Sequence, residues 1–193
     1  MNNIEYRHKA IRTLPDLGLD KEQTERILPE EFGEKLNLSH MVMGLASELG
    51  ELVNCTGTEL KLKVDLPNLK EELGDMYWYI GNYCNLRNIT PPDDLEIKLE
   101  SFRCFDLLIH SVGELVDIVK KYVAYNRPIE RSRELEIVYD IYASLELFET
   151  TYGLSGDEIR SKNIHKLLVR YPEKFTEERA INRNTDEERK TLE

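Results

Sequence analysis

The sequence predicts an all-α protein on three observations. Val and Ile are scattered rather than alternating, Gly is sparse at 10 residues in 193, and apolar residues recur at spacings of three and four. Five helices follow in order. The first covers about Asn37 to Leu60, with Asn37 or Ser39 as its N-cap. Pro67 suits a first-turn position and opens the second, which continues to about Leu86. NITPPDD breaks the periodicity, and a third helix spans roughly Phe102 to Tyr125 before Pro128. A fourth runs from about Glu130 to Thr151, and the turn in YGLSGDE separates it from a fifth, Asp157 to about Arg170. The tail beyond Phe175 is charged.

A chain of 193 residues suits one domain or two small repeats and is long enough to bury a core. The uncharged stretch around the single Trp, Met76 to Leu86, is far shorter than the roughly 20 apolar residues of a bilayer span, so no membrane helix is expected. MNNIEYRHKAIRTLP lacks the apolar core of a secretory signal, and a cytoplasmic setting is the expectation. Cys55, Cys84 and Cys104 are odd in number and form no CxxC pair, which argues against a disulfide framework or a zinc site. The net charge of −11 disfavours nucleic acid as a partner, because phosphate backbones are held by clustered Lys and Arg. A small phosphorylated ligand remains compatible wherever a metal or a local basic cluster offsets the repulsion.

The halves of the chain resemble each other. Gly50-Glu51-Leu52-Val53 recurs 63 positions later as Gly113-Glu114-Leu115-Val116, and Asp75-Met76-Tyr77 recurs 65 positions later as Asp140-Ile141-Tyr142. Ile89-Thr90 recurs as Leu154-Ser155 at that second offset. Three matches in order predict a bundle of two tandem helical hairpins, about 37–89 and 102–154, closed by a helix and tail over 155–193. In that alignment Ser111 stands for Glu48 and Ile137 for Glu72, which leaves the second repeat two of the four acids and predicts that it is chemically silent.

Those acids form two pairs. Glu48 and Glu51 make ExxE in the first helix; Glu72 and Asp75 make ExxD in the second, with twenty residues between the pairs. Helical positions three apart sit about 60° apart, so each pair can reach one metal ion. Leu45, Leu49, Leu52 and Thr56 define the inward stripe of the first helix; Leu69, Leu73, Met76 and Ile80 define that of the second. Relative to Leu45 and Leu69, each acidic pair falls at about −60° and −120°. Both helices therefore carry acids on the same flank of the core. Four carboxylates without His or Cys favour Mg²⁺, with Mn²⁺ as the alternative, and the absence of Glu-x-x-His disfavours a di-iron centre.

HMVMGLASELGELVN followed by LKEELGDMYWYI resembles the ExxE and ExxD signature of the MazG-like all-α nucleotide pyrophosphohydrolases. EYRHKAIRTLP is similar to their opening segment and NIHKLLVRYPEKF to their closing one, while the tandem arrangement resembles that of the dimeric-type dUTPases. The resemblance implies that Glu48, Glu51, Glu72 and Asp75 hold Mg²⁺ and that Glu48 or Glu51 deprotonates a water for attack at the α-phosphorus of a nucleoside triphosphate. Tyr79, one turn beyond Asp75 on the same flank, and His40, near the phase of Glu51, are candidate substrate contacts; Asn163, Lys166 and Arg170, which share one face of the fifth helix and match the family's closing segment, are further ones, with Lys174 and Arg183 as weaker ones. Base and sugar preference stay open, a homodimer is compatible, and the competing readings are a pyrophosphohydrolase of another substrate such as phosphoribosyl-ATP and a non-catalytic helical module.

Overall fold

In the computed structural model every element among the described residues is helical. These residues are 1–13, 30–56, 64–92, 95, 104–173, 176 and 178. The helices are α1 (Asn3–Ala10, followed by a 3₁₀ turn, Ile11–Thr13), α2 (Glu30–Cys55), α3 (Leu66–Arg87), α4 (Cys104–Tyr125), α5 (Arg131–Tyr152) and α6 (Gly156–Arg170). No helix among them is long and apolar enough to cross a membrane.

α2 and α3 form one hairpin, pinned where the Asp65 amide donates to Cys55 O at 3.1 Å; α4 and α5 form a second. The hairpins dock through α2 and α4, and α3 is flanked on its remaining sides by α1 and α6. Leu45 and Leu52 of α2 pack with Leu69, Leu73, Met76 and Ile80 of α3 in the same buried core that holds Leu108, Val112, Leu115, Ile137, Ile141 and Leu145. Burying each such side chain contributes about 1.5–3 kcal/mol. The stripe expected for α3 packs in full; in α2 Leu45 and Leu52 pack, Leu49 is half-buried at the edge, and Thr56 lies one residue beyond the helix.

Two expectations need correction. α2 starts at Glu30, so Asn37 and Ser39 lie inside it rather than capping it, and it ends at Cys55 rather than Leu60. Its first two turns run past the core: Phe32 and Leu36 remain exposed, and that weak inward pattern is what hid them. α1 was not anticipated as a helix. Asn2 caps it by accepting from the Glu5 amide at 2.8 Å, and it buries Tyr6 and Ala10.

The other helix ends follow their local chemistry. Asp65 caps α3 with Pro67 in its first turn, Glu130 caps α5, and Ser155 caps α6. α3 and α5 have the same length and end alike, in left-handed residues Asn88 (φ 51°) and Gly153 (φ 63°). Ile89 N donates to Cys84 O and Leu154 N to Glu149 O, which satisfies the orphan carbonyls in the same way. Between them the fully buried Glu134 of α5 accepts from Arg87 Nε at 2.6 Å and Tyr83 Oη at 2.7 Å of α3, a buried ion pair whose lone pairs are filled.

Candidate metal centre

The α2/α3 hairpin places Glu48, Glu51 and Glu72 together. One carboxylate oxygen from each lies within 4.8 Å of the others, and Glu48 and Glu72 share a hydrogen bond. Glu48 and Glu72 are half-buried, whereas Glu51 is exposed at the open side. Burial, then the charge of Asp75, the hydrogen bond to Glu72 and the charges of Glu72 and Glu51 push the Glu48 carboxyl up from the ordinary 4.5 to about 8. Glu72 is pushed up to about 7, with burial the largest cause. Acids crowded at this separation lower their mutual repulsion by sharing a proton or a cation. Three hard oxygen donors at this spacing fit Mg²⁺ or Mn²⁺.

Asp75, the fourth acid, is engaged elsewhere. Lys166 Nζ donates to its Oδ1 at 2.8 Å and to its Oδ2 at 2.7 Å, and Asn163 Nδ2 donates to Oδ1 at 2.6 Å. Lys166 also reaches Glu71 Oε1 at 3.4 Å, and Asn163 Oδ1 accepts from Tyr6 Oη. Gly74 permits the approach, since a Cβ there would sit 3.0 Å from Asn163 Cβ.

Tyr79 lies one turn beyond Asp75 and half-buried. Its ring packs on His40 with centroids 5.9 Å apart and on Trp78 at 4.9 Å. It lies directly on α2 because residue 44 is glycine; a Cβ there would meet the ring at 2.1 Å. Burial, followed by the charges of Glu48 and Asp75, pushes its phenol up to about 12, so Tyr79 stands at the rim of the acid centre as a neutral donor. His40 Nδ1 is buried without a hydrogen-bond partner, and burial lowers its pKa. Arg170 ends α6 with its guanidinium 5.8 Å from the centroid of the Tyr171 ring, and its charge reaches Tyr79. Lys174 and Arg183 fall outside the described residues.

The anticipated candidates therefore divide. Glu48, Glu51 and Glu72 converge; Asp75, Asn163 and Lys166 form a paired set beside them; His40, Tyr79 and Arg170 line one rim. Tyr6 and Glu71 were missed. Glu71 adjoins Glu72 in LKEELGD and was hidden by the ExxD pattern, while Tyr6 could have been found from the apolar pair Tyr6 and Ala10 spaced by four. A cleft of about 560 Å³, lined by Leu66, Pro67, Lys70, Glu71, Leu154 and Lys162 among others, reaches Glu71 but none of the three clustered glutamates.

At the positions that the expected repeat would match, the α4/α5 hairpin carries no such cluster among the described residues. Ser111 and Ile137 are each 1% exposed, and Glu114 is held by Arg133 and by His110 at 3.2 Å. Compared with known proteins, the chain matches no family model, no curated protein and no solved structure.

Proposed function

We propose that the protein is a divalent-metal-dependent pyrophosphohydrolase of nucleoside triphosphates, with its centre in the α2/α3 hairpin. The observation that carries this is the convergence of Glu48, Glu51 and Glu72 within 4.8 Å on two packed helices. Those residues would hold Mg²⁺. When bound, such an ion neutralises phosphate charge and lowers the pKa of a coordinated water.

The chain's own residues have separable roles. Glu48 or Glu51 takes the proton of the attacking water as its oxygen bonds to the α-phosphorus; the bond to the bridging oxygen breaks and pyrophosphate leaves. Tyr79 Oη would donate to a sugar or base at the rim, with the His40 ring edge-on against its own. Arg170, a planar donor near the same rim, suits phosphate oxygens. Asn163 and Lys166 act on this centre through Asp75.

We further propose that α4 and α5 descend from the same hairpin as α2 and α3, arranged as a second subunit would be. Supporting this, contacts between α3 and α5 are reciprocal at the offset of 65 positions. Tyr77 Oη donates to Glu149 at 2.6 Å, and their counterparts Tyr142 and Cys84 also share a hydrogen bond. Tyr77 and Tyr142 face each other with ring centroids 6.1 Å apart. Reciprocal pairing of this kind is what a twofold interface generates.

Incubating the protein with Mg²⁺ and a panel of dNTPs, NTPs and phosphoribosyl-ATP in ¹⁸O water tests the reaction. Pyrophosphate should be released with the label in the monophosphate. Label in the pyrophosphate would refute attack at the α position, and release of no pyrophosphate from any substrate would leave a binding module.

A further inference from the structure

The centre carries four acids, but their surroundings differ in kind. A carboxylate offers about four lone-pair sites. At Asp75 three are in use: Oδ1 accepts from Lys166 and Asn163, and Oδ2 accepts from Lys166. The ammonium, with three hydrogens to donate, lies within hydrogen-bond distance of three carboxylate oxygens, Asp75 Oδ1, Asp75 Oδ2 and Glu71 Oε1. Lys166 is 0% exposed and Asn163 2%. Asn163 is fixed in turn by Tyr6, itself buried, and by the close passage of α6 over Gly74. Side chains from α1, α3 and α6 thus lock this arrangement, and separating the buried ammonium from its carboxylate would leave a buried charge uncompensated. Among the described residues no Lys or Arg forms a salt bridge with Glu48, Glu51 or Glu72; these three cluster with one another and feel the charge of Asp75.

We propose that Asp75 is not a ligand of the resting metal centre: Lys166 occupies it as a built-in cation, and one divalent ion is held by Glu48, Glu51 and Glu72 alone. Lys166 and Asn163 are then positioning residues that act through Asp75. The inference rests on the metal-centre reading above and narrows it from four protein ligands to three. The division of labour is physical. A fixed ammonium offsets one negative charge permanently, so the remaining acids need a single divalent ion in the absence of nucleotide.

Mn²⁺ binding to the full chain without nucleotide, followed by electron paramagnetic resonance and calorimetry, tests this. Wild type should bind one Mn²⁺ per chain, and Glu72→Gln should weaken that site at least 10-fold. Because Asp75→Asn alone would strand a buried lysine, the decisive variant is Asp75→Asn combined with Lys166→Met, which removes both charges together. It should keep one site within about 3-fold of wild type, and Lys166→Met alone, which frees Asp75, should tighten that site at least 10-fold or add a second. A double variant that loses Mn²⁺ as Glu72→Gln does, or a wild type that binds two ions, overturns the proposal while leaving the metal centre standing. A wild type that binds no Mn²⁺, or binds it unaffected by Glu72→Gln, overturns both.

Discussion

The α2/α3 and α4/α5 hairpins share a frame and differ in what occupies it. α3 and α5 match in length, in cap and in the hydrogen bonds that close them, 65 positions apart. Yet where the first hairpin gathers Glu48 and Glu72 at half-burial, the second buries Ser111 and Ile137, and where Glu51 is exposed beside two other acids, Glu114 is paired with Arg133 and lies 3.2 Å from His110. Helix ends and apolar stripes suffice to build a hairpin of this kind. The acids are superimposed on it, and they work against stability: Glu48 and Glu72 resist ionising where they sit, whereas a buried isoleucine contributes about 1.5–3 kcal/mol.

The sharpest way to break that contrast is turnover. Glu51→Gln and Glu72→Gln should each lower pyrophosphate release by at least about 100-fold while leaving helicity intact. Glu114→Gln and Asp140→Asn should leave kcat within a few fold, since neither touches the cluster. If a second-hairpin change proves as damaging as its counterpart, with circular dichroism unchanged, the two halves are not functionally distinct.

Stability against pH should separate the hairpins next. Glu48 and Glu72 have folded pKa values near 8 and 7 against an ordinary 4.5, so between about pH 4.5 and 8 the folded state binds more protons than the unfolded one. Their contribution is therefore most favourable below pH 4.5 and is lost as pH rises through 8. Thermal melts in EDTA should fall over that window. Glu48→Gln should flatten the slope, Mg²⁺ should offset it, and Glu114→Gln should do neither, because the hydrogen bond from Arg133 holds that carboxyl below its ordinary range. An EDTA profile that rises with pH would contradict the crowding described at the centre.

The smallest effect concerns two helix glycines. Nothing lies within 4 Å of a Cβ built at Gly113, so Gly113→Ala should raise stability by about 0.5–1 kcal/mol in a urea titration. Gly44→Ala should instead destabilise, since the added methyl would overlap Tyr79. A stabilising Gly44→Ala would mean that Tyr79 leaves α2 freely.

Much of this contrast could be read beforehand. Leu69, Leu73, Met76 and Ile80 repeat with helical period, and that period alone placed Glu72 on the flank where it meets Glu48. The second hairpin's Ser111 and Ile137 followed from alignment. Boundaries were harder where a polar residue mimicked a cap, as Asn37 did inside α2, and α1 is too short for its period to stand out. Partners were hardest. Spacing put Asn163, Lys166 and Arg170 on one face of α6, but it cannot say whether a lysine meets a substrate or a neighbouring aspartate. That depends on how closely α6 passes Gly74.

The bond from Tyr6 to Asn163 spans 157 positions, and that from Arg12 to Tyr171 O spans 159. Loop closure over such separations carries a larger entropic cost than closing either hairpin, so contact order places these links late in folding. The three glutamates belong to a local hairpin and can assemble early, while Asp75 waits for α6. Pulsed hydrogen exchange during refolding should find amides of α2 to α5 protected before those of α1 and α6.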